Sequence, residues 1–155
     1  MLKESVLKLQ NHLRLRTSPV GFKLLEKVED MQNVTGLMKL KGKSTMCQLV
    51  TIARTFEMTV GATADDLAVP VCGGMIGLCD LPDIVKDGTM RQLLWCKKKE
   101  DAKKYENSIP KIPVGKYKAV VIGPLAAESF NPDIVLIYGT PAQMILLINA
   151  IQVED

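Results

Sequence analysis

The amino-acid sequence predicts an α/β or α+β domain in which a mixed sheet is flanked by amphipathic helices. Three observations support this fold class. Apolar residues recur at helical spacing near the start of the chain and again after residue 44. Short apolar runs that end in turns are typical of strands, and two of them lie in the final third of the chain. Strands therefore alternate with helices, which is the pattern of a sheet domain covered by helices.

The first half of the chain predicts two helices around a short strand. The first helix carries an apolar stripe over the opening fifteen or so residues: Leu2, Val6, Leu9 and Leu13. A strand is expected at residues 19–25, because proline is tolerated at the start of a strand. Ser44 is expected to cap the second helix, since its hydroxyl can accept a bond from a free backbone N–H. That helix has its own stripe: Met46, Leu49, Val50 and Ala53.

The second half predicts strands at residues 92–96, 118–124 and 133–139, with a charged helix from about Lys99 to Asn107. The run at 133–139 is apolar enough to be buried on both faces. Thr140-Pro141 favours a helix start, with threonine as the cap and proline in the first turn. This last helix is expected to run from Pro141 to about Val153.

Length and composition predict one domain over residues 1–155, in a chain that is 47% hydrophobic and 24% charged. The opening residues carry charges where a signal peptide needs an apolar stretch. The longest apolar runs are too short to cross a bilayer. The lysine clusters lack the arginines and aromatics of nucleic-acid sites. We therefore expect a cytoplasmic protein that binds neither membranes nor nucleic acid.

Several stretches of the chain resemble one known family. They are Leu13-Arg-Leu-Arg-Thr-Ser-Pro-Val-Gly-Phe-Lys, Met46-Cys-Gln-Leu-Val with Ala53-Arg54, Cys72-Gly-Gly to Gly77-Leu78, Pro113-Val-Gly-Lys-Tyr-Lys-Ala-Val-Val, and Asn131-Pro-Asp-Ile-Val-Leu-Ile-Tyr-Gly-Thr-Pro-Ala-Gln-Met. In these residues the chain resembles the uncharacterised ArCR family, domain of unknown function 169. Members continue with a further glycine- and cysteine-containing segment, so the resemblance implies a chain truncated at its C-terminus. It implies no activity.

Four cysteines give the leading functional hypothesis. They lie at positions 47, 72, 79 and 96, and without an export signal free thiols or metal ligands are favoured over disulfides. Cys47 falls near a predicted helix start, where the helix dipole favours the thiolate, so it is expected to be the most reactive thiol. Cys72 and Cys79 are seven residues apart, which on a continuous helix would place them on one face. Together, Cys47, Cys72 and Cys79 could hold a metal ion or an iron–sulfur cluster with one open iron. We expect their sulfurs to converge and Cys96 to stand apart.

Two alternatives stay open at this point. A small anionic ligand could bind at a glycine-rich helix start formed by Gly73, Gly74 and Gly77, with Arg54 completing the pocket and Arg14 and Arg16 as further candidates. This stretch is neither a P-loop nor a dinucleotide fingerprint. Alternatively, the chain is a structural subunit whose four cysteines are small buried hydrophobes. The sequence assigns no catalytic residue.

The last predicted helix also predicts a partner. Residues 144–151 are apolar nearly all the way round the helix, and such helices are buried on most sides. One domain face covers only part of this surface, and a large exposed apolar patch usually marks an interface. We therefore expect a symmetric homo-oligomer, most simply a two-fold dimer.

Overall fold

The computed structural model describes residues 2–153, which form a five-stranded mixed sheet with helices packed around it. The helices are α1 (Leu2–Leu13), α2 (Met46–Phe56), α3 (Pro70–Met75), α4 (Asp83–Lys86), α5 (Thr89–Leu94), α6 (Lys99–Ser108) and α7 (Pro141–Val153). The strands are β1 (Val20–Leu25), β2 (Met38–Lys39), β3 (Val60–Thr63), β4 (Ala119–Pro124) and β5 (Ile134–Leu136). The predicted fold class is confirmed.

The sheet has the strand order β2-β3-β4-β1-β5. Strand β1 pairs antiparallel with both β4 and β5, and β3 pairs antiparallel with β4. Only β2 and β3 run parallel, which makes the sheet mixed. The longest pairing joins β1 to β4, from Val20 opposite Pro124 to Leu25 opposite Ala119. Every residue of β4 is buried, so this strand is the centre of the fold.

One face of the sheet packs against α2. Alternate residues of a strand point to the same face, and on β1 these are Val20, Phe22 and Leu24. Helix α2 supplies its predicted apolar stripe to the same cluster: Met46, Leu49, Val50 and Ala53. The opposite face buries a smaller cluster around Met31 and Val121. The main core thus fixes the position of α2, whose outer side bears both Cys47 and Arg54.

The N-cap of α2 is Thr45 rather than the predicted Ser44. The Thr45 hydroxyl accepts a bond from the Gln48 backbone N–H at 3.1 Å, and the Gln48 side-chain oxygen accepts from the Thr45 N–H at 2.8 Å. Ser44 instead forms a β-bridge with Leu67. Its N–H donates to the Asp66 carbonyl at 2.9 Å, and its carbonyl accepts from Ala68 at 3.0 Å. This bridge holds the start of α2 beside the segment that leads into α3.

The strand predicted at residues 92–96 is wrong, because this segment belongs to α5 and the turn that ends it. The Asp87 carboxylate accepts bonds from the Thr89 N–H and hydroxyl, both at 2.8 Å, and so starts the helix. Lys99 and Thr89 both bond to this carboxylate and lower the pKa of Asp87 to about 2. The apolar residues that suggested a strand are exposed, with Leu93 at 76% and Trp95 at 69%.

The strand predicted at residues 133–139 is shorter and less buried than expected. Strand β5 covers only Ile134–Leu136, and it pairs with β1 at the edge of the sheet. Ile134 and Val135 are 47% and 45% exposed, so the prediction of burial on both faces is wrong. The helix after it begins at Pro141 as predicted. Strands β2 and β3 were not predicted, since β3 is the short sequence Val-Gly-Ala-Thr with only one large apolar residue.

Within residues 2–153, none of the helices combines the length and the apolar character needed to cross a bilayer.

Candidate functional site

A cavity of about 350 Å³ lies where the segment after α1, the last turn of α2 and the start of α7 meet. We call it the arginine cavity. It is lined by Arg16, Thr17, Arg54, Tyr138, Gly139, Thr140 and Gln143. These residues come from three distant parts of the chain. The fold brings them together because β1 follows α1 and pairs with β5, which leads directly into α7.

Arg54 is the central side chain of the arginine cavity. Its guanidinium carbon lies 4.2 Å from the centroid of the Tyr138 ring, which is a cation–π contact. The Arg54 Nε is shielded from solvent, and no group in the described part of the chain accepts a hydrogen bond from it. A buried donor without a partner costs about 1–3 kcal/mol. Because Arg54 lines the cavity, an anion bound there would lie beside its guanidinium.

The walls of the arginine cavity are held by Gln143. Its side-chain oxygen accepts a bond from the Thr140 N–H at 2.7 Å, which caps the start of α7. Its side-chain nitrogen donates to the carbonyls of Leu13 and Arg14, at 2.7 and 2.9 Å. One side chain therefore ties the segment that carries Arg16 to the first turn of α7. The positive end of the α7 dipole also faces this region.

The electrostatic character of the arginine cavity is positive. Over residues 2–153, no carboxylate lies within salt-bridge distance of Arg14, Arg16 or Arg54. Arginine presents a planar fork of donors that matches carboxylate and phosphate groups. Two arginines on one cavity without a protein counter-charge are therefore suited to an anionic ligand.

Neighbouring segments of the chain pack closely against the three glycines of the predicted pocket. A side-chain carbon placed on Gly73 would lie 2.6 Å from Leu67 Cδ1, and one on Gly74 would lie 2.6 Å from Leu81 Cδ2. At Gly77, where φ is +77°, an added side-chain carbon would lie 2.6 Å from a backbone oxygen. These glycines permit close packing of neighbouring segments. Arg54 lines the arginine cavity, whereas none of the three glycines does. Arg54 and the glycines therefore do not form a joint pocket at that cavity. Ligand binding by the glycines stays a prediction.

A second cavity of about 350 Å³ lies at the start of α2, and we call it the thiol cavity. Cys47 is exposed and lines it together with Ser44, Gln48, Thr51 and Ile52. Cys72 is half-buried in α3, where it packs against the main core. Burial raises the pKa of Cys72, and the neighbouring Cys47 raises it further. Convergence of the Cys47 and Cys72 sulfurs stays a prediction.

Cys79 and Cys96 have other surroundings. Helix α3 ends at Met75, so Cys79 does not share a helix with Cys72 as the seven-residue spacing suggested. The Cys79 thiol donates to the Pro70 carbonyl at 3.6 Å. Burial raises the pKa of Cys79, and Asp80 adds to this effect. Cys96 lines a different cavity beside Trp95. All four cysteines are free.

Across the described residues, no three His, Cys, Asp or Glu side chains are arranged to hold a metal ion. Binding of a metal or an iron–sulfur cluster by all three of Cys47, Cys72 and Cys79 stays a prediction.

The sequence analysis missed part of the arginine cavity. It placed Tyr138 only near the end of a strand, and Thr140 and Gln143 only at the start of a helix. A signal was present, because all three lie in the stretch from Asn131 to Met144, which carries the family resemblance. The roles of Tyr138 and Gln143 depend on contacts more than 80 residues away in sequence, which no local pattern reveals.

Comparison with known proteins gives one family match. A family model described as uncharacterised ArCR, domain of unknown function 169, matches residues 8–155. Searches of curated proteins and of solved structures found no match.

Proposed function

Because the chain belongs to the uncharacterised ArCR family, whose description assigns no activity, we propose its function from its geometry: it binds a small anionic molecule in the arginine cavity. The observation that carries the proposal is the environment of Arg54. Its Nε is shielded from solvent without an acceptor in the described chain, and its guanidinium is held against Tyr138. Arg16 lines the same cavity.

The origin of the cavity residues supports the proposal. Three of the stretches that carry the family resemblance, residues 13–23, 53–54 and 131–144, supply all seven lining residues. These stretches share no secondary-structure element. If these three stretches only packed against one another, two arginines without carboxylate partners would not be needed where the stretches meet.

The chemistry of the cavity indicates the ligand class. Arginine binds carboxylates and phosphates through two parallel hydrogen bonds. The volume of about 350 Å³ lies at the small end of the range for ligand pockets. We therefore propose a metabolite-sized ligand with one or two carboxylate or phosphate groups.

Arg54→Gln is expected to weaken anion binding at least about tenfold, because a hydrogen bond to a charged group contributes about 1.5–3 kcal/mol. Isothermal titration calorimetry with inorganic phosphate and with citrate measures this loss. Lys43→Gln is the matched control, since it removes the same charge from an exposed position that does not line the arginine cavity. Equal affinities for the wild type and Arg54→Gln, or an equal loss in Lys43→Gln, would contradict the proposal.

A cysteine-held cofactor is a second candidate function, favoured by four free cysteines, of which Cys47 is exposed at a cavity. The cofactor is a metal ion or an iron–sulfur cluster, with Cys47, Cys72 and Cys79 as ligands. A cytoplasmic location belongs to the same proposal, because thiols stay reduced there. Anaerobic purification followed by iron, zinc and sulfide analysis tests it. A protein free of all three elements would contradict it.

We also propose that α7 forms the interface of a two-fold homodimer. None of its residues is buried in the single chain, and its sequence contains no charged residue. Its exposed apolar side chains include Ile145, Leu146, Ile148 and Ile151, each more than half exposed. The edge strand β5, which precedes α7 in the chain, also exposes Ile134 and Val135. A patch of this kind on a protein surface usually marks an interface.

Ile148→Glu is expected to convert the dimer into a monomer, because it would bury two unpaired carboxylates at a two-fold interface. Light scattering at micromolar protein concentration measures the change in mass. Leu93→Glu is the control, since Leu93 is 76% exposed on α5 rather than on α7. A monomeric wild type would refute the proposed dimer.

A further inference from the structure

We propose that the surface formed by α5, the turn after it and α6 binds to the face of an anionic lipid bilayer. We call it the tryptophan surface, and it is separate from the arginine cavity. It presents four apolar or aromatic side chains, each more than half exposed: Leu93, Leu94, Trp95 and Tyr105. The expectation that the chain binds no membrane rested on the length of the apolar runs, which excludes a spanning helix but does not test a contact with the bilayer surface.

Arg91 holds the aromatic part of the tryptophan surface together. Its guanidinium carbon lies 5.0 Å from the centroid of the Trp95 ring and 5.4 Å from that of Tyr105. The Arg91 Nε donates to the Glu106 carboxylate on α6 at 2.9 Å, which fixes the guanidinium between the two helices. Arg91, Trp95 and Tyr105 line one cavity of about 250 Å³. The two rings therefore belong to one surface, although they come from different parts of the chain.

The charge of this segment complements an anionic surface. Residues 91–104 contain six Lys or Arg and two Asp or Glu, a net charge of +4, whereas the whole chain has +3. Lys99 is paired with Asp87 at 2.7 Å. Over residues 2–153, no carboxylate lies within salt-bridge distance of the four other exposed lysines of the segment: Lys97, Lys98, Lys103 and Lys104. These four lysines are available to attract anionic lipid headgroups.

The combination of side chains favours a bilayer over a nucleic acid. Tryptophan is enriched at membrane interfaces, where its ring contacts apolar chains and its N–H contacts polar groups. Leu93 and Leu94 beside it can enter the boundary of the acyl chains, while the lysines remain among the headgroups. A nucleic acid would use the lysines and the aromatic rings but would leave both leucines exposed to water.

The fluorescence of Trp95, the only tryptophan in the sequence, tests the proposal. The full chain is titrated with vesicles made of equal parts of phosphatidylcholine and phosphatidylglycerol, and separately with vesicles of phosphatidylcholine alone. The anionic vesicles should shift the emission of Trp95 to shorter wavelength, because the ring leaves water. The neutral vesicles should bind at least about tenfold more weakly. Co-sedimentation with the vesicles measures binding without relying on fluorescence.

Two variants separate the charged part of the surface from the apolar part. Lys97→Gln/Lys98→Gln should weaken binding to the anionic vesicles at least about tenfold. Its matched control is Lys41→Gln/Lys43→Gln, which removes the same charge from two exposed positions elsewhere. Leu93→Gln should also weaken binding and reduce the shift in emission. Its control is Phe56→Gln, since Phe56 is 66% exposed on α2.

Three results would overturn the proposal. One is an emission of Trp95 that anionic vesicles leave unchanged, with no protein in the vesicle pellet. Another is an equal loss in each variant and its control, which would show attraction by net charge without a defined surface. The third is a change in Trp95 emission with single-stranded oligothymidine but not with vesicles, which would assign the surface to nucleic acid instead.

Discussion

Glu106→Ala is expected to lower the free energy of unfolding by about 3–5 kcal/mol, which is the usual cost of breaking a buried ion pair by removing one partner. Glu106 lies on α6 and is only 1% exposed. Its carboxylate accepts a hydrogen bond from Arg91 Nε at 2.9 Å, and Lys111 Nζ lies 3.3 Å from its second oxygen. Without the carboxylate, two partly buried cations would face each other with no counter-charge.

Urea unfolding followed by circular dichroism measures this loss. Glu100→Ala is the matched control, because Glu100 is an exposed carboxylate in the first turn of the same helix. Its removal should change stability by well under about 1 kcal/mol. A loss in Glu106→Ala no larger than in the control would show that the ion pairs of α6 do not hold α5 and α6 together.

Gly88→Ala is expected to cost about 2–5 kcal/mol through two separate effects. Gly88 precedes α5 with φ +85°, a conformation that costs other residues about 1–2 kcal/mol. In addition, a side-chain carbon there would lie 2.6 Å from the backbone nitrogen of Lys103 on α6. Forcing the helices apart to relieve such a contact typically costs about 1–3 kcal/mol.

Gly42→Ala separates the two effects. Gly42 has a similar φ of +80°, but no atom lies within 4 Å of the position that its side-chain carbon would take. Thermal or urea unfolding should therefore show a small loss for Gly42→Ala and a clearly larger one for Gly88→Ala. Equal losses would mean that backbone strain alone accounts for the effect and that α5 and α6 are not tightly packed at Gly88.

The sequence predicts the elements whose burial follows a regular period. Helix α2 presents its apolar stripe to the sheet as expected, and β4 is as buried as its unbroken apolar run suggests. The pattern fails where apolar residues remain exposed. Leu93 on α5, Trp95 in the turn that ends this helix and Ile134 on β5 lie in apolar runs typical of buried strands, yet the single chain leaves them at its surface. The spacing of apolar residues shows which residues could be buried. It does not show which other part of the protein packs against them.

The candidate site shows the same limit. Arg54 could be named from the sequence as a ligand-binding residue, but its surroundings could not. Its partner Tyr138 lies 84 positions further along the chain and reaches it through the pairing of β1 with β5. The three glycines suggested an open pocket because glycine permits close approach. In the fold the groups that approach the glycines include the side chains of Leu67 and Leu81. Which residues pack against a glycine depends on the tertiary structure and cannot be read from the local sequence.

The position of a bound anion tests the central claim most directly. Crystals grown without sulfate or phosphate and soaked in selenate would locate the anion through the anomalous scattering of selenium. We expect a peak in the arginine cavity, within hydrogen-bond distance of the Arg54 guanidinium, which disappears in Arg54→Gln crystals. Selenate bound only at other basic residues, with the arginine cavity empty, would contradict the proposal that this cavity binds anionic ligands.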